Sequence, residues 1–189
     1  KKYFIINSEV SSLLGEVHVD YKNIDFIIKN ISYINHELNK NVYLIVIGTG
    51  AEEYVNKLKK YAYNLDISDY IIFTGFISDP NKLITSLDLL VAPSLIDAFG
   101  RSIVEAMLQK TPVLAAKSGG HVSIINDGIN GMFYNPAIED DFFDILSIIV
   151  NGRNMNTLSD EAYQFARDNF SSEQHLSNML TIYNHLLKS

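Results

Sequence analysis

The sequence predicts an open α/β domain: a doubly wound parallel sheet of about six strands with a helical carboxyl-terminal tail. Three observations carry this. Short β-rich runs, apolar on both faces, alternate with longer segments of helical period. Glycines gather just after the β-rich runs, where the chain turns toward a helix. A chain of 189 residues with 47% hydrophobic and 20% charged content is long and apolar enough to bury a sizeable core.

The strand-like runs are Tyr3–Asn7, Val42–Ile47, Tyr70–Thr74, Leu89–Ala92 and Val113–Ala116. Apolar residues on both faces suit parallel strands covered by helices on each side. Between the first two, Ile24, Ile27, Ile28, Ile31, Ile34 and Leu38 form one helical stripe, and Val55, Leu58, Ala62 and Leu65 form the next. A short helix is expected after Asp79–Pro80, with Asp as cap and Pro in the first turn. Further helices are expected near Phe99 and near Ile138, after the Asn135–Pro136 turn. The Glu139–Asp141 acids suit a helix amino terminus. The tail comprises Leu158–Asp168 and Glu173–Leu187, with Ser171–Ser172 as hinge and cap. Repeated β–α units of this kind form one sheet with right-handed crossovers.

Composition narrows the function. With no cysteine, disulfide scaffolds, thiolate zinc sites and a cysteine nucleophile are excluded. A net charge of −7, from 22 acidic and 15 basic residues, argues against broad contact with nucleic acid or anionic membrane. Any phosphate is then held locally by a few aimed donors. The longest apolar run, Val42–Ile47, falls far short of the roughly 20 residues that span a bilayer, and nothing resembles a targeting segment. The expected location is cytoplasmic. The chain starts without Met, almost inside its first strand, so the expectation is a piece of a larger protein.

Gly48, Gly50, Gly75, Gly100, Gly119 and Gly120 all follow strand-like runs. In open parallel sheets that rim binds ligands, and helix amino termini there suit phosphate. Each glycine alone also suits a plain tight turn, and Gly48-Thr49-Gly50 lacks the third glycine of a dinucleotide fingerprint. The richest segment runs from Ser94 to Val113. Asp97 follows a strand, Glu105 lies eight positions on within a helix, and Phe99-Gly100 starts that helix. Two carboxylates and helix amides on one cleft suit a sugar ring and a phosphate. Asp97 equally suits a helix cap, and Glu105 an i, i+4 pair with Arg101.

Asp97–Glu105 resembles the E-x7-E motif of the retaining family 4 (group 1) glycosyltransferases. The chain is similar to the carboxyl-terminal, nucleotide-sugar-binding half of their GT-B fold. The resembling pieces occur in order: Val46–Gly50, Ile72–Phe76, Ala92-Pro93-Ser94, Asp97–Gly100, Glu105-Ala106-Met107, Pro112-Val113, Gly119-Gly120 and the Asn126–Gly131 turn. The resemblance implies a Rossmann-like half, residues 1–189, that binds a nucleotide-diphosphate sugar. It further implies transfer with retention to a saccharide or lipid-linked acceptor, with that acceptor and any peripheral membrane contact handled through an amino-terminal domain outside this chain.

By the same resemblance, Asp97 would bond hydroxyls of the donor sugar and Glu105 the ribose. Backbone amides of Phe99, Gly100 and Arg101 would meet sugar or diphosphate, with Gly119 and Gly120 beside them. Phe76 and Ile77, backed by Leu83, would hold the base. Lys22 would bind the diphosphate and steady the departing charge, although an ordinary solvated lysine before a helix is the alternative. The chain departs from the family pattern in carrying Asp97 where Glu is usual, Gly15-Glu16-Val17 where Gly-Arg-Leu is usual, Lys110 for a common Gly, and Ser123 for a common Glu. Those departures motivate a non-catalytic GT-B-like partner subunit or degenerate nucleotide-sugar-binding domain as the alternative. A signalling domain of response-regulator type would need clustered acids, which Asp88 and Asp97 do not provide. No cofactor and no metal are expected: no D-x-D triplet occurs, and His18, His36, His121, His175 and His185 show no ligand spacing. His121, beside Gly120, is expected as a solvated loop residue, with contact to the donor as the alternative.

Overall fold

The computed structural model describes residues 2–7, 22–171, 174, 176, 179, 180 and 183. Gly15-Glu16-Val17 and His18 lie outside the described residues, as do His175, His185 and much of Glu173–Leu187.

Six strands form one parallel sheet: β1 (Lys2–Asn7), β2 (Val42–Ile47), β3 (Ile71–Gly75), β4 (Leu89–Ala92), β5 (Val113–Ala116) and β6 (Met132–Tyr134). Their order is β3-β2-β1-β4-β5-β6, with Ile5 of β1 paired to Ile45 on one side and Leu90 on the other. The chain winds outward from β1 to β3, then returns to β4 and winds outward the other way. That reversal makes the carboxyl ends of β1 and β4 the topological switch point.

Alternation along each strand explains why both faces are apolar. Leu44, Val46, Leu89, Val91, Leu114 and Ala116 enter one core; Ile45, Ile47, Leu90, Ala92, Val113 and Ala115 enter the other. The first core is closed by α1 (Ile24–Glu37), α2 (Glu52–Asn64) and α5 (Asp141–Val150). The second is closed by α3 (Asn81–Ile84) and α4 (Arg101–Leu108), and α6 (Asn156–Phe170) feeds both. Of the predicted α1 stripe, Ile24, Ile27, Ile28, Ile31 and Ile34 are buried, whereas Leu38 falls just past the helix as its cap and is half-buried. Each such isoleucine stabilises the fold by roughly 1.5–3 kcal/mol.

Local chemistry sets the ends. Asp79 Oδ1 accepts the Asn81 amide at 3.2 Å, although the cap position of α3 falls on Pro80 rather than on Asp79. Ser171 Oγ accepts the Gln174 amide at 3.2 Å, the predicted cap of the tail. Asp141 Oδ2 accepts the Asn135 amide at 2.6 Å, so this acid fixes the turn into α5 as well as sitting in its first turn. Asn35 clamps the α1–β2 connection: its side-chain amide donates to the Val42 carbonyl at 3.0 Å and accepts from the Val42 amide at 2.8 Å. In the first core Tyr134 stacks on Phe26 at 5.7 Å between ring centroids, and burial pushes its hydroxyl pKa well up. Among the described residues, no helix is long and apolar enough to cross a membrane.

Candidate functional site

Three connections meet at the switch point. Lys22 lies just before the amino end of α1, whose cap residue Asn23 takes a left-handed conformation with φ 56°. The β4–α4 loop carries Asp97 and ends at Gly100, the α4 cap, with φ 91°. After β5, Gly119–Ser123 forms a single 3-10 turn.

Asp97 is the hub of this arrangement. Its Oδ1 accepts the amides of Phe99 at 3.2 Å and Gly100 at 3.0 Å, so it caps the loop entering α4. Its Oδ2 lies 3.7 Å from Lys22 Nζ and 3.9 Å from His121 Nε2. Asp97 Oδ1 thus closes the turn into α4, whose cap position is Gly100, while Oδ2 is turned toward Lys22 and His121. The side chains of Lys22 and Asp97 are 13% and 24% exposed, so this ion pair faces a crevice rather than open solvent.

Gly119 and Gly120 pack directly on the Asp97 loop. The Gly120 amide donates to the Asp97 carbonyl at 2.7 Å. A Cβ on Gly119 would come within 2.6 Å of the Asp97 carbonyl oxygen, and one on Gly120 within 2.5 Å of the Ala98 carbonyl oxygen. Gly119 also holds φ 52°, where side chains are strained. Only glycine lets the two loops approach this closely.

His121 corrects the expectation of a solvated loop histidine: it is 1% exposed. Its Nδ1 lies 3.0 Å from the Ala116 carbonyl, which only accepts, so Nδ1 carries a proton. Its Nε2 has no hydrogen-bond partner among the described residues and faces Asp97. Gly100 packs against the ring, since a Cβ there would lie 3.1 Å from His121 Cδ2. The signal available in the sequence was its position directly after the Gly-Gly pair.

The remaining predicted residues lie farther along the rim. Glu105, half-buried on α4, faces Arg101 across one helical turn at 3.9 Å, an exposed pair of small energetic weight. Gly48 donates its amide to the Gly75 carbonyl at 3.0 Å, joining the ends of β2 and β3 beside a cavity of about 340 Å³ that Thr49, Gly50 and Phe73 help line. Phe76 follows Gly75 and is 77% exposed, while Ile77 and Leu83 pack half-buried on the second core. These three therefore sit at the β3 end of the rim, away from the Asp97 hub in strand order. Among the described residues, no group of three His, Asp or Glu side chains could hold a metal ion.

The sequence profile of "Glycosyl transferases group 1" matches residues 16–165. Among curated relatives, the alpha-monoglucosyldiacylglycerol synthase of Streptococcus pneumoniae is 31% identical over 169 residues, covering 87% of this chain and 37% of the synthase. A crystal structure of a glycosyltransferase from Rickettsia africae superposes with a TM-score of 0.85 at 24% identity, over 100% of this chain and 48% of that one. HepE of Anabaena in complex with UDP-glucose superposes with a TM-score of 0.77 at 25% identity, over 95% of this chain and 49% of that one. The chain spans about a third of the length of three curated relatives it matches, 29–37%.

Proposed function

Because this chain belongs to the group 1 glycosyltransferases, we propose that its switch-point crevice binds a nucleotide-diphosphate sugar and that residues 1–189 are the donor-binding, carboxyl-terminal half of a GT-B enzyme. The observation that carries the reading is Asp97 Oδ2, 3.7 Å from Lys22 at the carboxyl ends of β1 and β4. A sugar hydroxyl donates to Asp97 Oδ2, while Lys22 turns to the diphosphate. Phe99, Gly100 and Arg101 offer backbone amides at the start of α4, two of them shared with Asp97 Oδ1. Glu105 takes the ribose, Gly119 and Gly120 hold the Asp97 loop against the donor, and Phe76, Ile77 and Leu83 take the base.

The chemistry is departure of a nucleoside diphosphate from the anomeric carbon, with attack from the same face and retention. Lys22 and the α4 amides stabilise the charge that develops on the leaving oxygen, without a metal. The acceptor is a saccharide or a lipid-linked acceptor, and it docks on the amino-terminal half. This chain by itself binds donor without turnover.

Titration of UDP, GDP and ADP, and of their glucose and mannose forms, into ¹⁵N-labelled protein tests the reading. The expected result is saturable amide shifts at Asp97–Arg101 and Gly119–Gly120 with at least one nucleotide sugar. No shift with any of them at millimolar concentration refutes it.

A further inference from the structure

His121 is the buried titratable group that the proposed reaction leaves without a task. A purely structural histidine would satisfy both ring nitrogens. Here the ring is 1% exposed, Nδ1 is spent on the Ala116 carbonyl, and Nε2 finds no partner among the described residues, yet it lies 3.9 Å from Asp97 Oδ2. A neutral Nε2 offers Asp97 only a lone pair, acceptor against acceptor. A protonated Nε2 offers a charge-assisted donor. Which state suits Asp97 depends on its other cation.

Lys22 is that cation. It lies 3.7 Å from the same oxygen, Oδ2. Among the described residues, Asp97 is the charged group set against the His121 ring, with Lys22 behind it. If a diphosphate draws Lys22 away, a partly buried carboxylate loses its counterion. Among the described residues, the other group within 4 Å able to replace that charge is His121, which gains it by taking one proton from solvent.

We infer that His121 is a positioning residue for Asp97, taking up a proton at Nε2 when Lys22 engages the donor diphosphate, so that Asp97 stays ionised and in place against the sugar. The inference rests on the donor-site reading above. It makes donor binding a proton-coupled exchange of cations: Lys22 leaves Asp97, one proton arrives at Nε2, and the charge at Asp97 stays compensated. Affinity therefore rises as pH falls.

UDP-glucose is the probe, because its phosphates are diesters that do not titrate near neutrality. Calorimetry in buffers of differing ionisation enthalpy should report uptake of up to one proton per site. Affinity should tighten as pH falls, by at most about tenfold per pH unit. His121→Asn keeps a side-chain amide for the Ala116 carbonyl but has no Nε2. It should fold, bind with a flat pH profile, and take up no proton. Binding by the wild type without proton uptake, or the same uptake in His121→Asn, overturns the inference.

Absence of any binding would instead defeat the donor-site reading, and the ligand-free protein then decides. Ring ¹⁵N shifts report the protonated fraction of His121 from about pH 5 to pH 9. Lys22→Met, which removes the competing cation, should raise that fraction at a given pH, and Asp97→Asn should lower it. A fraction unmoved by both variants overturns the coupling whatever UDP-glucose does.

Discussion

Gly120→Ala is the sharpest perturbation of the contact on which the site is built. The new Cβ would sit 2.5 Å from the Ala98 carbonyl oxygen, 2.7 Å from the Ala98 carbonyl carbon and 2.7 Å from Phe99 Cα, all below the 3.0 Å that Cβ contacts essentially never breach. Every obstructing atom is backbone, so no rotamer change relieves the clash. Either the β4–α4 loop or the turn after β5 moves by roughly half an ångström or more. Overpacking of this kind destabilises by about 1–3 kcal/mol. For a chain of this length that lowers Tm by roughly 2–12 °C.

The same displacement carries Asp97 away from Lys22, and misplacement approaching 1 Å is worth up to about a hundredfold at a reacting centre. UDP-glucose affinity should accordingly fall by on the order of tenfold. Gly128→Ala is the control: it meets nothing within 4 Å but holds φ 74° in the turn before β6. It should cost about 1–2 kcal/mol through backbone strain alone, with affinity unchanged. Circular dichroism melts and UDP-glucose titrations on both variants separate the effects. A Gly120→Ala protein matching wild type in both measurements refutes the reasoning. So does a Gly128→Ala protein that loses affinity as severely.

Three further outcomes are expected. Lys22→Met should change stability by no more than about 1 kcal/mol, since its partner Asp97 stays capped by two amides; it should weaken UDP-glucose by on the order of tenfold and flatten the salt dependence of binding measured by calorimetry. Asn35→Ala strips both hydrogen bonds from buried Val42 at the amino end of β2, so chemical denaturation should show a loss of about 2–4 kcal/mol with donor affinity intact. Asp97→Glu lengthens the side chain by one methylene and gives up the short cap, lowering stability by about 1 kcal/mol; it frees the Phe99 and Gly100 amides, and UDP-glucose affinity should rise, whereas a fall would show that the ligand depends on the aspartate's reach.

The sheet was legible because each buried strand is a self-contained apolar run and α1 repeats isoleucine at helical spacing over its whole length. β6 was counted but not located: Met132–Tyr134 has three residues, too few for a period to show, and its place depends on pairing with β5. The Asp97–Glu105 segment stood out through spacing within one loop and helix, which is local information. His121 did not, because its burial comes from loops 24 positions apart in sequence closing on each other through Gly119 and Gly120. Asn35 looked like any polar residue on a helix until the start of β2 came to its side chain. What sequence period cannot reveal is which loops of a doubly wound sheet meet at the reversal of strand order.

The net charge of −7 gains a local meaning at that meeting point. An acidic protein that is to receive a diphosphate must first mask the acid in its own site. Asp97 is masked by two amides on one oxygen and by Lys22 on the other. At 3.7 Å and only partly shielded, the Lys22–Asp97 pair is a loose one, so its exchange for a diphosphate is cheap. The ligand must then supply what replaces Lys22 at Asp97, through a sugar hydroxyl and the proton at His121. A nucleoside diphosphate without its sugar satisfies only half of that exchange. UDP should therefore bind this chain more weakly than UDP-glucose at a pH where both carry two negative charges, and equal affinities would place the recognition on the nucleotide instead.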